Sequence, residues 1–173
     1  SELAVKQMEE ELASRYINLV KDFENGEAVL AINSFIFNSN QNPDLREQYC
    51  DQLYVEYQRL GKPVEIAEQL FGYLNPTEIN HAQRICELAE CILSSHELFE
   101  KEYFRLAQAY ITSDQHESAL SVAEKHINRE VYDPYWAIIQ TVCYHNIGRL
   151  GLAHDVIKRA VQENPFSFEH HHY

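Results

Sequence analysis

The sequence predicts an all-α protein built from antiparallel helical hairpins. Its 173 residues include only five glycines and five prolines, and these lie almost wholly between segments in which apolar residues recur with the helical period. No alternating apolar and polar segments joined by hairpin turns compete with this pattern. The hydrophobic content of 45% is typical of a folded domain, and no run of about 18 apolar residues suits a membrane span. We therefore expect one domain over residues 1–167 and a tail over 168–173.

About nine helices are predicted, each delimited by breaking or capping residues. Gly26 separates the first two, and Pro43 ends the second, with Asp44 as the N-cap of the third. Asn75 can cap the fifth helix, Ser113 and Asp114 can cap the seventh, and Asp133 caps the eighth with proline at its first position. The predicted ranges are 3–24, 27–38, 44–60, 63–72, 77–93, 97–112, 116–128, 134–147 and 150–163.

The last helix is strongly amphipathic, and its apolar face is expected to be buried. That face comprises Leu152, Ala153, Val156, Ile157, Ala160 and Val161. Helices of about 12 residues are marginal alone in water. Because the predicted connections are only a few residues long, consecutive helices should pair as antiparallel hairpins and bury such faces against each other.

The hairpins repeat along the chain. Gly26, Ala31 and Pro43 are separated by 5 and 12 residues, and Gly148, Ala153 and Pro165 show the same spacing. Placing Ala119 in register with Ala153 also aligns Tyr110 with Tyr144, Tyr103 with Ala137 and Asp114 with Gly148. The offset in this register is the period of about 34 residues that characterises one class of helix–turn–helix repeat. The alternative, an ordinary helical bundle with alanine and tyrosine at helical spacing, stays open.

On these residues the chain resembles the tetratricopeptide-repeat family. The family's aromatic, alanine, glycine and proline positions are matched by Tyr103, Leu106, Ala107, Tyr110 and Ala119, and by Tyr144, Gly148, Ala153, Ala160 and Pro165. Trp136 lies one place before the expected aromatic position, and Gln140 occupies a usual leucine position. The match is best over 100–167, partial over 12–43 and loose over 44–75, where Gly61 and Ala67 are one residue too far apart; 77–93 fits no pair cleanly. The resemblance implies a right-handed solenoid of stacked hairpins.

The resemblance also implies a concave groove, lined by the first helix of each repeat, that receives a segment of another protein. Its lining would be Tyr16, Val20, Phe23, Lys101, Phe104, Gln108, Ile111, Thr112, Tyr135, Ile138, Val142, His145 and Asn146. Of the paired Asn and Lys that grip a C-terminal carboxylate in some members, only Lys101 and Asn146 have counterparts, so apolar anchors are expected instead, with Lys101 and His145 adding directional contacts. Alternatively, Phe104, Ile111, Ile138 and Val142 only pack the core.

The charge excludes nucleic acid as a favoured ligand. The net charge is −13, and such a surface repels phosphates. Residues 1–130 hold 23 acidic and 11 basic side chains, so an electrostatically steered partner should be basic and should dock there. The excess charge could equally serve solubility alone.

The sequence offers little for catalysis or for metal and cofactor binding. The four cysteines form no CxxC pair and read as buried apolar residues of a protein in the reducing cytoplasm. His116-Glu117 lacks the second histidine of HExxH, His81 and Cys86 are poorly spaced for one metal, and the Glu9–Glu11 run reads as a solvated helix start. The His170–His172 run is expected to belong to the tail. We expect no enzyme activity, metal or cofactor.

The leading hypothesis is a cytoplasmic adaptor or chaperone that captures a peptide segment of a partner protein, without membrane insertion. Pairing with a second copy of the chain is also compatible with the sequence. One alternative is a regulatory or sensor domain of a larger protein that binds a short peptide or small ligand. An all-α enzyme is the third hypothesis, and it lacks a polar constellation to support it.

Overall fold

The computed structural model describes residues 1–8, 11, 43–126 and 132–163, apart from the side chain of Leu45, and the regular structure of these residues is entirely helical. This confirms the all-α class. Residues 2–8 are helical, and seven longer helices follow. They are α1 (Pro43–Arg59), α2 (Val64–Tyr73), α3 (Ile79–Leu93), α4 (Glu100–Thr112), α5 (His116–His126), α6 (Pro134–Asn146) and α7 (Leu150–Glu163).

These seven helices confirm the third to ninth predicted helices, with ends shifted by at most a few residues. The first two predicted helices, over 3–24 and 27–38, lie largely outside the described residues, as does the predicted tail. Within the part of the chain that is described, no helix has both the length and the apolar character that crossing a membrane requires.

The chain divides into two compact units, and α3 contributes to both. The first comprises residues 1–74 and 88–96, and the second comprises residues 75–87 and 97–173. In the first unit α1 packs against α2. Glu56 is buried there among apolar side chains, where its carboxylate accepts hydrogen bonds from Arg59 Nε at 2.7 Å and from Gln52 Nε2 at 3.3 Å. These donors compensate its desolvation. The apolar core of this unit includes Tyr49, Leu53, Tyr57, Ile66, Leu70 and Phe71.

In the second unit each of α5, α6 and α7 packs on the helix before it, and α4 also contacts α6 directly. The shared core contains small residues where helices approach closely, and large residues that fill the space between them. Its buried members are Ala107, Ala119, Leu120, Ala123, Trp136, Ile139 and Cys143.

The turns α4–α5 and α6–α7 lie one sequence period apart and have the same backbone structure. Gln115 N donates to Tyr110 O at 2.7 Å, and Arg149 N donates to Tyr144 O at 2.8 Å. The residue before each donor has a left-handed backbone, with φ +60° at Asp114 and +81° at Gly148. The sequence period therefore corresponds to a repeated turn geometry.

The α1–α2 turn is a longer version of the same turn. Lys62 N donates to Tyr57 O at 2.8 Å, as the equivalent residues do in the other two turns. Gly61 has φ +79°, and Lys62 follows with φ +61°. The spacing from Gly61 to Ala67 exceeds its counterparts by one residue, and the second left-handed residue accommodates that extra residue.

The structure confirms one predicted cap and corrects two others. Asp133 caps α6, since its carboxylate accepts from Tyr135 N at 2.9 Å with Pro134 at the first helical position. Asp44 is not an N-cap, because α1 begins at Pro43 and Asp44 lies in the first turn. Asp114 does not cap α5, because its carboxylate contacts His116 Nε2 at 2.9 Å from a left-handed turn.

Near Pro76 and in α7 the structure also differs from expectation. Asn75 Oδ1 accepts from Thr77 N at 3.0 Å, so Asn75 caps a turn, and α3 begins two residues later at Ile79. The prediction that the whole apolar face of α7 is buried is wrong. Only its two alanines are buried and Val156 is partly buried, whereas Leu152, Ile157 and Val161 are exposed.

Candidate functional site

An open pocket of about 470 Å³ lies between the N-terminal halves of α4 and α6, within the second unit. It exists because α4 and α6 contact each other directly, although they are not consecutive in sequence. Concave, mostly apolar sites with a few polar groups are the usual form of a ligand-binding site. The lining residues are Glu100, Lys101, Phe104, Arg105, Asp133, Tyr135 and Trp136.

Three aromatic side chains form the apolar part of the pocket. The Phe104 ring meets Tyr135 edge-on, with ring centres 5.8 Å apart, and it meets Trp136 in the same way at 5.5 Å. These edge-to-face arrangements are the favourable ones for aromatic pairs. Trp136 is only 2% exposed and belongs to the core, whereas Tyr135 is 64% exposed. The pocket thus combines a fixed floor with an accessible aromatic side chain.

Two further rings pack beside Trp136, which forms the floor of the pocket. The His126 ring is stacked on Trp136 with ring centres 6.0 Å apart, and its centre lies 3.9 Å from that of the tilted Tyr103 ring. The Tyr103 hydroxyl donates a hydrogen bond to Glu97. Burial raises the pKa of Tyr103, and the bond to Glu97 raises this pKa further, so the phenol stays a protonated donor at neutral pH.

Charged groups of both signs border the aromatic rings. Glu100 and Lys101 begin α4, and Asp133 begins α6, where its capping bond to Tyr135 N fixes the start of the helix beside the pocket. Burial lowers the pKa of Arg105, and the negative charge of Glu102 partly opposes this shift, so the guanidinium remains charged at neutral pH. Two acidic and two basic side chains leave the pocket itself close to neutral.

Three of the predicted groove residues come together in this pocket. Lys101, Phe104 and Tyr135 line it, although Tyr135 belongs to a different helix from the other two. Phe104 is also partly buried against the core cluster of the second unit. The predicted residues Tyr16, Val20 and Phe23 lie outside the described residues.

The other predicted groove residues do not line the pocket. Ile111 packs against the core cluster, as the alternative interpretation expected, whereas Ile138 is exposed. Gln108 and Val142 are partly buried, and His145 and Asn146 are exposed. Asn146 Nδ2 donates to Val142 O at 2.8 Å within its own helix. The Thr112 hydroxyl lies 2.7 Å from Pro76 O, so it joins two segments of the second unit.

Sequence reasoning did not place Glu100, Arg105, Asp133 or Trp136 in the site. Asp133 and Trp136 were recognised only as a cap and as an aromatic residue out of its expected position. The displacement of Trp136 by one position was the available signal for the site. It places Trp136 in the core and leaves its neighbour Tyr135 exposed. Glu100 and Arg105 gave no comparable signal.

Two further residues carry side chains with potential for chemistry. Burial raises the pKa of Cys143 from 9.0 to about 11, so this core cysteine is a neutral thiol and a poor nucleophile at neutral pH. His81 is buried, and its Nδ1 accepts a hydrogen bond from Asn75 N at 3.0 Å. Neither residue lines the pocket.

Comparisons of the chain with protein-family models, with curated proteins and with solved structures find no match.

Proposed function

We propose that the chain is a non-enzymatic protein–protein interaction module, an adaptor or chaperone of the cytoplasm, that captures a peptide segment of a partner protein. In this proposal its hairpins stack as in tetratricopeptide-repeat proteins, in a right-handed solenoid, and α4 and α6 are first helices of successive repeats. The turn geometry that recurs one sequence period apart supports this arrangement.

The observation that carries the proposal is the open aromatic pocket between α4 and α6. Tyr135 stands exposed beside Phe104, above a buried Trp136. Binding energy at protein interfaces concentrates in a few aromatic or arginine contacts set in pockets with polar rims. Tyr135, Phe104 and Arg105 provide this combination.

The pocket suits one large apolar side chain of the peptide as an anchor. The anchor would lie between Phe104 and Tyr135. Binding there would remove apolar surface of both partners from contact with water. Lys101, Arg105, Glu100 and Asp133 offer donors and acceptors to the peptide backbone and to polar neighbours of the anchor. The net charge of −13 favours basic residues farther along the peptide.

The test uses the fluorescence of Trp136, the single tryptophan of the chain, which lines the pocket. Peptides selected from a random library on the whole chain should change this fluorescence on binding. Tyr135→Ala should weaken binding at least about tenfold, the effect of truncating an interface hot spot. Because Tyr135 is largely exposed, the fold should persist, which circular dichroism would verify.

Val55→Ala is the matched control, since Val55 is 52% exposed on α1 and does not line the pocket. This variant should bind the selected peptides like the unchanged protein. Equal binding by Tyr135→Ala would contradict the proposal. Phe104→Ala is a less clean test, because Phe104 also packs against the core and its loss would lower stability.

A second measurement addresses the enzyme alternative. The protein should show no turnover of generic ester and phosphate substrates. Robust turnover that a single histidine substitution abolishes would favour an all-α enzyme over an interaction module.

A further inference from the structure

Helix α7 carries an apolar face that its own unit leaves exposed. Leu150, Ile157 and Val161, with His154 between them, follow the spacing that puts side chains along one line of a helix. Leu150 is 61% exposed, and Ile157 and Val161 are each 40% exposed. We call these four residues the α7 face.

The equivalent face of α5, one sequence period earlier, is covered by a helix. Leu120 and Ala123 correspond to His154 and Ile157, and both are buried in the cluster that α6 completes with Trp136. The α7 face therefore corresponds to the surface of α5 on which the next helix, α6, packs. Exposed aliphatic side chains along such a line are a sign of an interaction surface.

A second exposed apolar surface lies at the start of the chain. Residues 2–8 are helical, and Ala4, Val5 and Met8 lie on one side of that helix. All three are exposed, Val5 by 57%. We call these three residues the N-terminal face. Glu2 and Glu11 border it at helical spacing from Val5 and Met8.

We propose that the α7 face binds the N-terminal face of a second copy of the chain, so that copies join through two different surfaces. Both surfaces are apolar and helical, and their borders have opposite charge. Lys158 lies one turn from His154, beside the α7 face. In the proposed pairing it would face the acidic border of the N-terminal face of the other copy. This inference is independent of peptide capture in the pocket.

The charge distribution supports a second copy as the occupant. A chain of net charge −13 repels its own copies over most of the sequence. Residues 131–173, which include α7, carry only four acidic and three basic side chains, so this end adds little to that repulsion. The acidic start of one copy can therefore approach the near-neutral end of another with little repulsion, and Lys158 beside the α7 face favours the acidic side chains of that start.

The test is a mixing experiment on the whole chain by sedimentation velocity at physiological ionic strength, where the repulsion between acidic copies is screened. The unchanged protein should gain mass as its concentration rises. Ile157→Asp and Val5→Asp should each remain monomeric, because each removes one of the two surfaces. An equimolar mixture of the two variants should form a dimer of twice the monomer mass, since one copy keeps the α7 face and the other keeps the N-terminal face.

Three controls show whether association depends on these two faces alone. Val55→Asp places a charge at an exposed apolar residue outside both faces and should leave self-association unchanged. Tyr135→Ala should also self-associate normally, which distinguishes this contact from the pocket. Circular dichroism should show that both aspartate variants at the two faces keep their helices.

Other results would overturn the inference. A protein that stays monomeric at every concentration has no such contact. Loss of association in Ile157→Asp but not in Val5→Asp would mean that the α7 face has another occupant, such as a second α7 or a different protein. A mixture of the two variants that stays monomeric would exclude pairing between the two faces.

Discussion

Gly148 and Asp114 occupy equivalent left-handed positions in two turns of the second unit. The steric cost of this conformation differs between the two residues. Glycine adopts positive φ freely, whereas a residue with a Cβ loses about 1 kcal/mol or more. Asp114 tolerates the position partly because aspartate is one of the few other residues that visit this region, and its carboxylate contacts His116. The turn geometry therefore depends on the backbone more than on one side chain.

Gly148→Ala should lower the free energy of unfolding by about 1 kcal/mol. An added Cβ at Gly148 would have no heavy atom within 4 Å, so the loss would come from the φ of +81° alone. Gly151→Ala is the matched control, since its added Cβ also meets open space and Gly151 lies within α7. This control should raise the free energy of unfolding by about 0.5 kcal/mol. Equal effects in urea denaturation would show that the turn imposes no such constraint.

The start of α6 links a helix cap to the pocket. Asp133 accepts from Tyr135 N, and both residues line the pocket. Asp133→Ala should lower the free energy of unfolding by about 1 kcal/mol, the usual value of an N-cap, whereas Asp133→Asn should stay within a few tenths. Thermal or urea denaturation measures the difference.

The same two variants report on the pocket. If the cap orients Tyr135, Asp133→Ala should weaken binding of the selected peptides more than Asp133→Asn does, although both remove the same charge. Equal weakening by the two variants would mean that the carboxylate charge, and not the cap, matters for binding.

The helices were largely predictable from the sequence, because their boundaries depend on local residues. Asp133 with Pro134 and the Gly148 turn are local signals, and α6 and α7 begin where they predict. The exposure of Ile157 was not predictable in this way. The amphipathic pattern identifies an apolar face but does not show whether another helix covers it.

The pocket was predictable only in part, because it depends on the contact between α4 and α6. The repeat register placed Lys101, Phe104 and Tyr135 on one surface, and the structure brings them together. The same register also predicted groove residues near the C-terminal ends of these helices, such as His145, and those ends do not reach the pocket. Arg105 enters the site through its side-chain direction in three dimensions, which periodicity alone does not determine.

At the scale of the whole molecule, the net charge of −13 and the near-neutral pocket have separate roles in the proposed binding. Contacts between the pocket and a bound anchor act at short range, so they should determine the dissociation rate of the peptide. The surrounding charge acts before contact, over distances of up to about 8 Å at physiological ionic strength. Charge of this kind changes association rates more than dissociation rates.

Two versions of one selected peptide, with lysines or with glutamates flanking the same apolar anchor, separate these roles. At low salt the lysine version should associate at least about tenfold faster, because the acidic chain attracts it. Added salt should remove the difference by screening, while the dissociation rates of both versions stay similar since the anchor contacts in the pocket are the same. Stopped-flow fluorescence of Trp136 would measure both rates. Equal association rates of the two versions would mean that the acidic surface has no part in recognition. A difference confined to the dissociation rates would mean that the flanking charges contact the rim of the pocket directly.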